Sequence, residues 1–155
     1  MKKIDLGQTI TVLANVGVIA GIAFLGFELS QNNDLLAAQA RYNLIVQRAD
    51  MNDNFQDPYL IDALHKLAGG GDVTPAERSA ALLATVKLVE MWEWQFHEYT
   101  AGMLERQQLP IPAWRLWYHG EGELPIPVGE VWERRKGVAS PNFVEFMEEN
   151  VVNER

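Results

Sequence analysis

The run Ile10 to Leu29, ITVLANVGVIAGIAFLGFEL, constrains this chain more than any other stretch. It holds one amide, Asn15, and one acid near its end, Glu28; the rest is apolar, Gly or Thr. A helix rises 1.5 Å per residue, so about 20 residues span about 30 Å, the thickness of a bilayer's hydrocarbon core. A core helix of a soluble protein would show a polar stripe, and Thr11, Asn15 and Glu28 do not form one. The run therefore reads as a transmembrane or membrane-embedded helix, roughly Gly7 to Leu29. A buried core helix and a cleaved signal peptide are the alternatives. Lys2 and Lys3 would give a signal its basic start, and Gly21-Ile22-Ala23 a weak cleavage site. Asp5 and Gln8 interrupt such a start, and the apolar run continues through Phe24, Leu25 and Phe27.

Within this helix Ala14, Gly17, Gly21 and Glu28 fall within about 60° of one another at 100° per residue. Gly17-x-x-x-Gly21 is the small-x-x-x-small spacing that lets two helices approach closely in lipid. Glycine is also common in membrane helices generally, so the spacing alone favours neither reading. Asn15 lies on a different face, and an amide in lipid is satisfied by bonding to a partner helix. The expected association residues are thus Ala14, Asn15, Gly17 and Gly21. Orientation is undecided: Lys2 and Lys3 flank one end, Arg41 and Arg48 the other.

The expected fold is all-α: a membrane-anchor helix in residues 1–30, then a small helical bundle in 31–155 built round one long central helix. Between Gly26 and Pro58 there is no Gly or Pro, so the first helix can continue to about Asp50. Leu35, Ala38, Tyr42, Ile45 and Ala49 share one face of that continuation. A break at Ser30 to Asp34 is the alternative, with Asn32-Asn33-Asp34 as turn and fresh cap. Asn52 to Asp57 reads as a loop, and Pro58 to Leu67 as a short helix capped by Asp57. Gly69-Gly70-Gly71 is followed by Asp72-Val73 and lacks the Gly-Lys-Ser/Thr of a phosphate loop, so it reads as a linker. Thr74-Pro75-Ala76-Glu77 opens the central helix with a capping box. That helix runs to about Met103, is apolar almost all round, and suits the middle of a bundle. Leu109 to Pro112 turns the chain. Short helices follow at Ala113 to His119, at Val128 to Lys136 with Gly137 as stop, and from Ser140-Pro141 onward. In the last, Phe143, Phe146, Met147 and Val151 share a face.

Charge and composition exclude several functions. The net charge of -8 opposes binding to phosphate backbones, so no nucleic-acid partner is expected. The basic cluster Arg134-Arg135-Lys136 lies beside Glu130 and Glu133 and reads as a solvated face. With no cysteine there is no disulfide, thiolate nucleophile or iron–sulfur ligand. Ser30, Ser79 and Ser140 sit in no nucleophile motif.

Glu90, Glu93 and His97 form a narrow polar stripe on the apolar central helix. Such a set suits a divalent metal in principle. Di-iron bundles, however, need two Glu-x-x-His pairs and further carboxylates, which this chain lacks. A buried network with an arginine, for example Arg41, Arg48 or Arg115, is the preferred reading. His119 with Glu121 and Glu123 is a weaker metal set, and His65 is isolated. Trp92 and Trp94 point to different sides of one helix and cannot line one pocket. Most of the tryptophans read as core, and Trp114, Trp117 and Tyr118 beside Arg115 are the group best suited to a membrane interface.

The segment GQTITVLANVGVIAGIAFLGFELSQNNDLLAAQAR contains the stretch Glu28-Leu29-Ser30-Gln31-Asn32, and Trp92, Trp94 and Trp114 lie further on. It resembles the start of a loose group of bacterial proteins with no known activity. These open with a glycine-spaced hydrophobic helix and continue into a Trp-containing helical domain. The resemblance covers about the first 40 residues. It implies an architecture and no activity; the expected location is the bacterial inner membrane, with the side of the helical domain undecided. Many members carry Arg just after the helix, which implies a cytoplasmic domain; Ser30 and Asn32-Asn33 stand there in this chain. The expectation is a single-pass, non-enzymatic interaction module or small subunit of a membrane complex, with membrane lipid and a second copy or a membrane protein as partners. No cofactor and no catalytic residue is expected. A soluble helical oligomer and a metal-binding bundle using Glu90, Glu93 and His97 are the alternatives.

Overall fold

The computed structural model describes residues 6–154, the side chains of Leu6 and Gln8 excepted. Lys2, Lys3 and Asp5, weighed above for a signal start and for orientation, lie outside the described residues. The described residues are helical, with no strand among them. In chain order they form α1 (Leu6–Phe55), α2 (Pro58–Ala68), α3 (Pro75–Thr100), a 3-10 turn (Arg106–Gln108), α4 (Ile111–Tyr118), α5 (Val128–Arg135), α6 (Pro141–Met147) and a π-helical turn (Glu148–Val152).

α1 is longer than the sequence suggested at both points of doubt. It passes through Ser30 to Asp34 without a break, and it continues past Asp50 to Phe55. The loop expected at Asn52 to Asp57 therefore shrinks to its last two residues. The physical reason is tertiary: Met51 and Phe55 pack against the main core, which outweighs the poor helix propensity of Asn52-Asp53-Asn54.

The chain divides into two compact units, Met1–Gln39 and Ala40–Arg155. The second unit begins where α1 first buries a side chain, at Ala40.

In the first unit, α1 carries one helix long and apolar enough to cross a membrane, with a mean hydropathy of 2.2 in its apolar window. Every described side chain from Thr9 to Leu36 is exposed. The Thr11 hydroxyl donates to the Gly7 carbonyl at 3.0 Å, so this polar group is satisfied within the helix.

In the second unit the caps behave as the local sequence dictates. Asp57 accepts from the Tyr59 N–H at 2.9 Å and starts α2. Thr74 and Glu77 form the reciprocal capping box of α3. Glu77 also binds Lys66 of α2 at 2.7 Å, a pairing that ties α2 to the start of α3. α3 stops at Thr100, and two residues on Gly102 turns the chain with a φ of +77°, a conformation that favours glycine. There the Met103 and Leu104 amides both return to the Glu98 carbonyl.

α3 supplies the centre of the core with Ala81, Ala84, Leu88, Val89, Trp92 and Phe96. It is not buried all round, since Leu83 is exposed. α2, α5 and α6 pack on it, and α4 packs on α5 and the π turn. Phe143, Phe146, Met147 and Val151 all face the core, as their spacing predicted. A smaller cluster joins Ala40 and Leu44 of α1 to Leu104, with Trp94 and Met103 against it.

Candidate functional site

Two sets of residues stood out in the sequence: the small-residue face of the apolar helix, and the Glu90/Glu93/His97 stripe.

Ala14, Asn15, Gly17 and Gly21 are all exposed on α1. A Cβ added at Gly17 or Gly21 would meet nothing within 4 Å. Neither glycine has a positive φ. So neither the backbone nor the chain's own packing requires glycine there, although glycine inside a helix costs about 1 kcal/mol relative to alanine. Round these positions, eleven large hydrophobic side chains from Ile10 to Leu29 each expose more than half their surface. The whole run is thus an apolar surface with small residues set into it.

The stripe on α3 resolves into two separate contacts. Glu90 pairs with Arg135 at 2.9 Å, on α5. Glu93 accepts the backbone N–H of Ser140 at 2.8 Å. The His97 Nε2 lies 3.2 Å from the Ser140 hydroxyl and 3.8 Å from Glu93. Ser140 is the cap residue of α6 and its hydroxyl makes no cap bond; Glu93 instead accepts the amide of the cap residue itself, one of the donors a helix start leaves open. Glu90 and Glu93 therefore hold α5 and the start of α6 to α3. Among the described residues no group of three or more His, Asp or Glu is placed to hold a metal ion. The buried network expected here is therefore not formed: Glu90 and His97 are exposed, and the one arginine on the stripe is Arg135, bound to Glu90 alone, rather than Arg41, Arg48 or Arg115. Arg48 donates to the Gln108 carbonyl at 2.8 Å. Arg115 donates to the Asn150 carbonyl at 2.6 Å and pairs with Glu154. Arg41 is exposed on α1. Nothing local to Glu90 announced Arg135, which lies 45 residues on.

His119 and the basic cluster also have structural partners, whereas Glu121 and Glu123 are exposed in the loop after α4. The His119 ring nitrogen lies 3.1 Å from the Val151 carbonyl and 3.2 Å from that of Glu154. With Arg115 it serves the carbonyls that the wide π turn leaves open. Each charge of the basic cluster has an acidic neighbour: Arg134 pairs with Glu130, Arg135 with Glu90 and Lys136 with Glu133.

The membrane-interface reading of Trp114 is overturned by its burial. Trp114 is fully buried and stacks on Trp92, with ring centroids 5.0 Å apart. Trp117 stacks on the same indole at 6.1 Å. These rings are core because α4 lays them across α3, which a spacing argument within α4 does not reveal. Trp94 does point elsewhere. It lines an open groove of about 480 Å³ with Gln47, Asp50, Lys87, Glu90 and Met91.

Electrostatics single out the α2–α3 pair. The hydrogen bond from Lys66, with those from the Thr74 backbone and hydroxyl, lowers the Glu77 carboxyl to about 2. Asp62 and then Glu77 hold the Lys66 ammonium well above its ordinary value. Both effects belong to a structural tie between helices and involve no cleft.

Comparison with protein-family models, with curated proteins and with solved structures finds no match.

Proposed function

We propose that the chain is a single-pass, membrane-anchored helical protein of the bacterial inner membrane. Residues 10–29 cross the bilayer, and the helical domain acts as a non-enzymatic interaction module or small subunit of a membrane complex. The observation that carries this reading is the uninterrupted exposure of the apolar run. No described residue from Thr9 to Leu29 is covered by the rest of the chain. Fully burying a side chain of the Val, Leu, Ile or Phe kind contributes about 1.5–3 kcal/mol each. Eleven such side chains left in water would be a large uncompensated cost, and soluble monomers rarely expose patches of that extent. A bilayer removes the cost without any partner.

Supporting the association part is the glycine pair. Gly17 and Gly21 weaken the helix and leave room for a Cβ among the described residues, whereas in lipid they would let a second helix approach closely. The non-enzymatic part draws support from the structural partners of Glu90, Glu93 and His119. Their side chains make caps and ties between helices.

A charge in the middle of the run tests the anchor. Arg at a transmembrane helix centre costs about 2.5–3.5 kcal/mol on the insertion scale. Ile19→Arg should move a measurable share of the protein out of the membrane fraction, while Leu83→Arg, at an exposed position of α3, should not. Equal distribution of the two variants would remove the basis for the reading.

A further inference from the structure

We infer that the helical domain binds a small organic cation, an ammonium group on an apolar body, in the cavity between the end of α1 and the loop after α4. The cavity lies wholly within the second unit, Ala40–Arg155, and does not depend on α1 crossing a membrane.

The cavity holds about 430 Å³, inside the range of roughly 300–1,000 Å³ usual for ligand pockets. Met51 and Phe55 of α1, Trp117 of α4, and Leu124 and Ile126 of the loop form its apolar walls. Leu116 also lines it and is 46% exposed. An apolar body seated here removes from water its own surface and surface that the fold leaves partly wet.

The charge of the lining has one sign. Glu121 and Glu123 line the cavity, and among the described residues no Lys, Arg or His does. Both glutamates are exposed, and neither carboxylate has a hydrogen bond or ion pair among the described residues. Glu77, Glu90, Glu93 and Glu130 differ in this respect, since each holds a cation or a helix start. The end of α1 adds the same sign. Its last turn lines the cavity through Asn52 and Phe55, and carries no basic residue to meet the negative end of the helix dipole.

The loop is fixed against the cavity's aromatic wall. Gly122 stands between the two glutamates and packs on the Trp117 ring, where a Cβ would overlap Cδ1. The φ of Gly122 is not positive, so close approach is what requires glycine there. Trp117 is itself held by stacking on Trp92, and the Glu121 amide donates to the Leu116 carbonyl at 2.7 Å. The two carboxylates are thereby kept next to an indole, the side chain whose ring attracts cations best.

This combination selects among ligands. Two unpaired carboxylates repel an anion, and a neutral molecule leaves them without a counter-charge. A cation with an apolar body satisfies both the acids and the walls. A bare metal ion fits less well, because it needs several polar ligands. His119, weighed with Glu121 and Glu123 in the sequence, keeps its Nε2 on carbonyls of the π turn.

Phenethylamine, a cation at neutral pH, is a suitable probe. Phenethyl alcohol and hydrocinnamate carry the same ring and chain with a neutral and an anionic end. Calorimetry uses the full chain in phosphatidylcholine nanodiscs, or in buffer if it is soluble without lipid, with the empty medium subtracted. The amine should bind saturably and about tenfold or more tighter than the alcohol, with hydrocinnamate weakest. Glu121→Gln and Glu123→Gln together should reduce the amine to the level of the alcohol. Both positions are exposed and unpaired, so the double variant should fold. Asp50→Asn, in the groove lined by Trp94, should leave the amine's affinity unchanged. Equal binding of amine and alcohol, or no saturable binding of the amine below about 10 mM, overturns the site. A loss in Asp50→Asn with none in the glutamate double variant also overturns it, and places the cation in the other groove.

Discussion

The indole rings of Trp92 and Trp114 stack at 5.0 Å with their planes 14° apart, and both are fully buried. This contact fastens α4 to α3 at the centre of the core, and Phe146 closes on Trp114 edge-on at 6.4 Å.

Trp114→Ala should therefore destabilise the helical domain by about 3–5 kcal/mol, the usual cost of removing a large buried aromatic side chain. Trp117→Ala should cost less, since Trp117 is only partly buried. Urea unfolding of the domain in the absence of any membrane measures both. A Trp114→Ala loss that appeared only with lipid present would return that residue to the membrane interface.

The Lys66–Glu77 tie predicts a pH dependence with a definite sign. Glu77 is depressed from an ordinary 4.5 to about 2 in the folded chain. Its contribution is complete above the ordinary value and fades as pH falls from about 4.5 towards 2. Glu77→Gln should lower the melting temperature at pH 7, and the gap from wild type should narrow steadily below pH 4.5. A gap that stays constant down to pH 2.5 would show that the carboxylate's charge plays no part.

Glu93 predicts a graded series. Glu93→Ala removes the acceptor for the Ser140 amide and should cost about 0.5–2 kcal/mol, the range of a lost helix cap. Glu93→Gln keeps an acceptor and should cost less. His97→Ala should change stability by less than about 0.5 kcal/mol, as for an exposed side chain. Elemental analysis of the same purified variants separates this role from metal binding. Stoichiometric metal in wild type, lost in Glu93→Ala and His97→Ala together, is the outcome that contradicts a purely structural stripe.

Gln95 is fully buried on α3, and neither atom of its amide meets a hydrogen-bond partner among the described residues. A buried polar group left unpaired costs about 1–3 kcal/mol. Gln95→Leu, of similar volume, should raise stability by about 1 kcal/mol or more. A loss of stability would mean that the amide is bonded through bound water.

What could be read from the sequence divides by range. The caps of α2 and α3 and the inward face of α6 were legible, because Asp57, Thr74-Pro75 and the spacing of Phe143, Phe146 and Met147 act within a turn or two. The apolar run was legible because nothing else in the chain matches it in length or composition. The buried side of α1 beyond the run was not legible. Both of its sides carry apolar residues, and only the ends of α3 and the Leu104 turn select Ala40 and Leu44 over Tyr42 and Ile45. The partner of Glu90 is hidden for the same reason: Arg135 sits in a basic cluster beside Glu130 and Glu133, and only the packing of α5 on α3 turns it to Glu90. The Trp92–Trp114 stack depends on where α4 crosses α3, and no local pattern carries that.

The most direct test of the account is an alkaline carbonate wash of membranes from cells making the full chain, beside cells making a chain that begins at Asn33. The account predicts that the full chain stays in the washed pellet, and that the shorter chain is soluble, folded and monomeric. A full chain that leaves the pellet as a soluble species would contradict it, and would make α1 an interface between proteins in water.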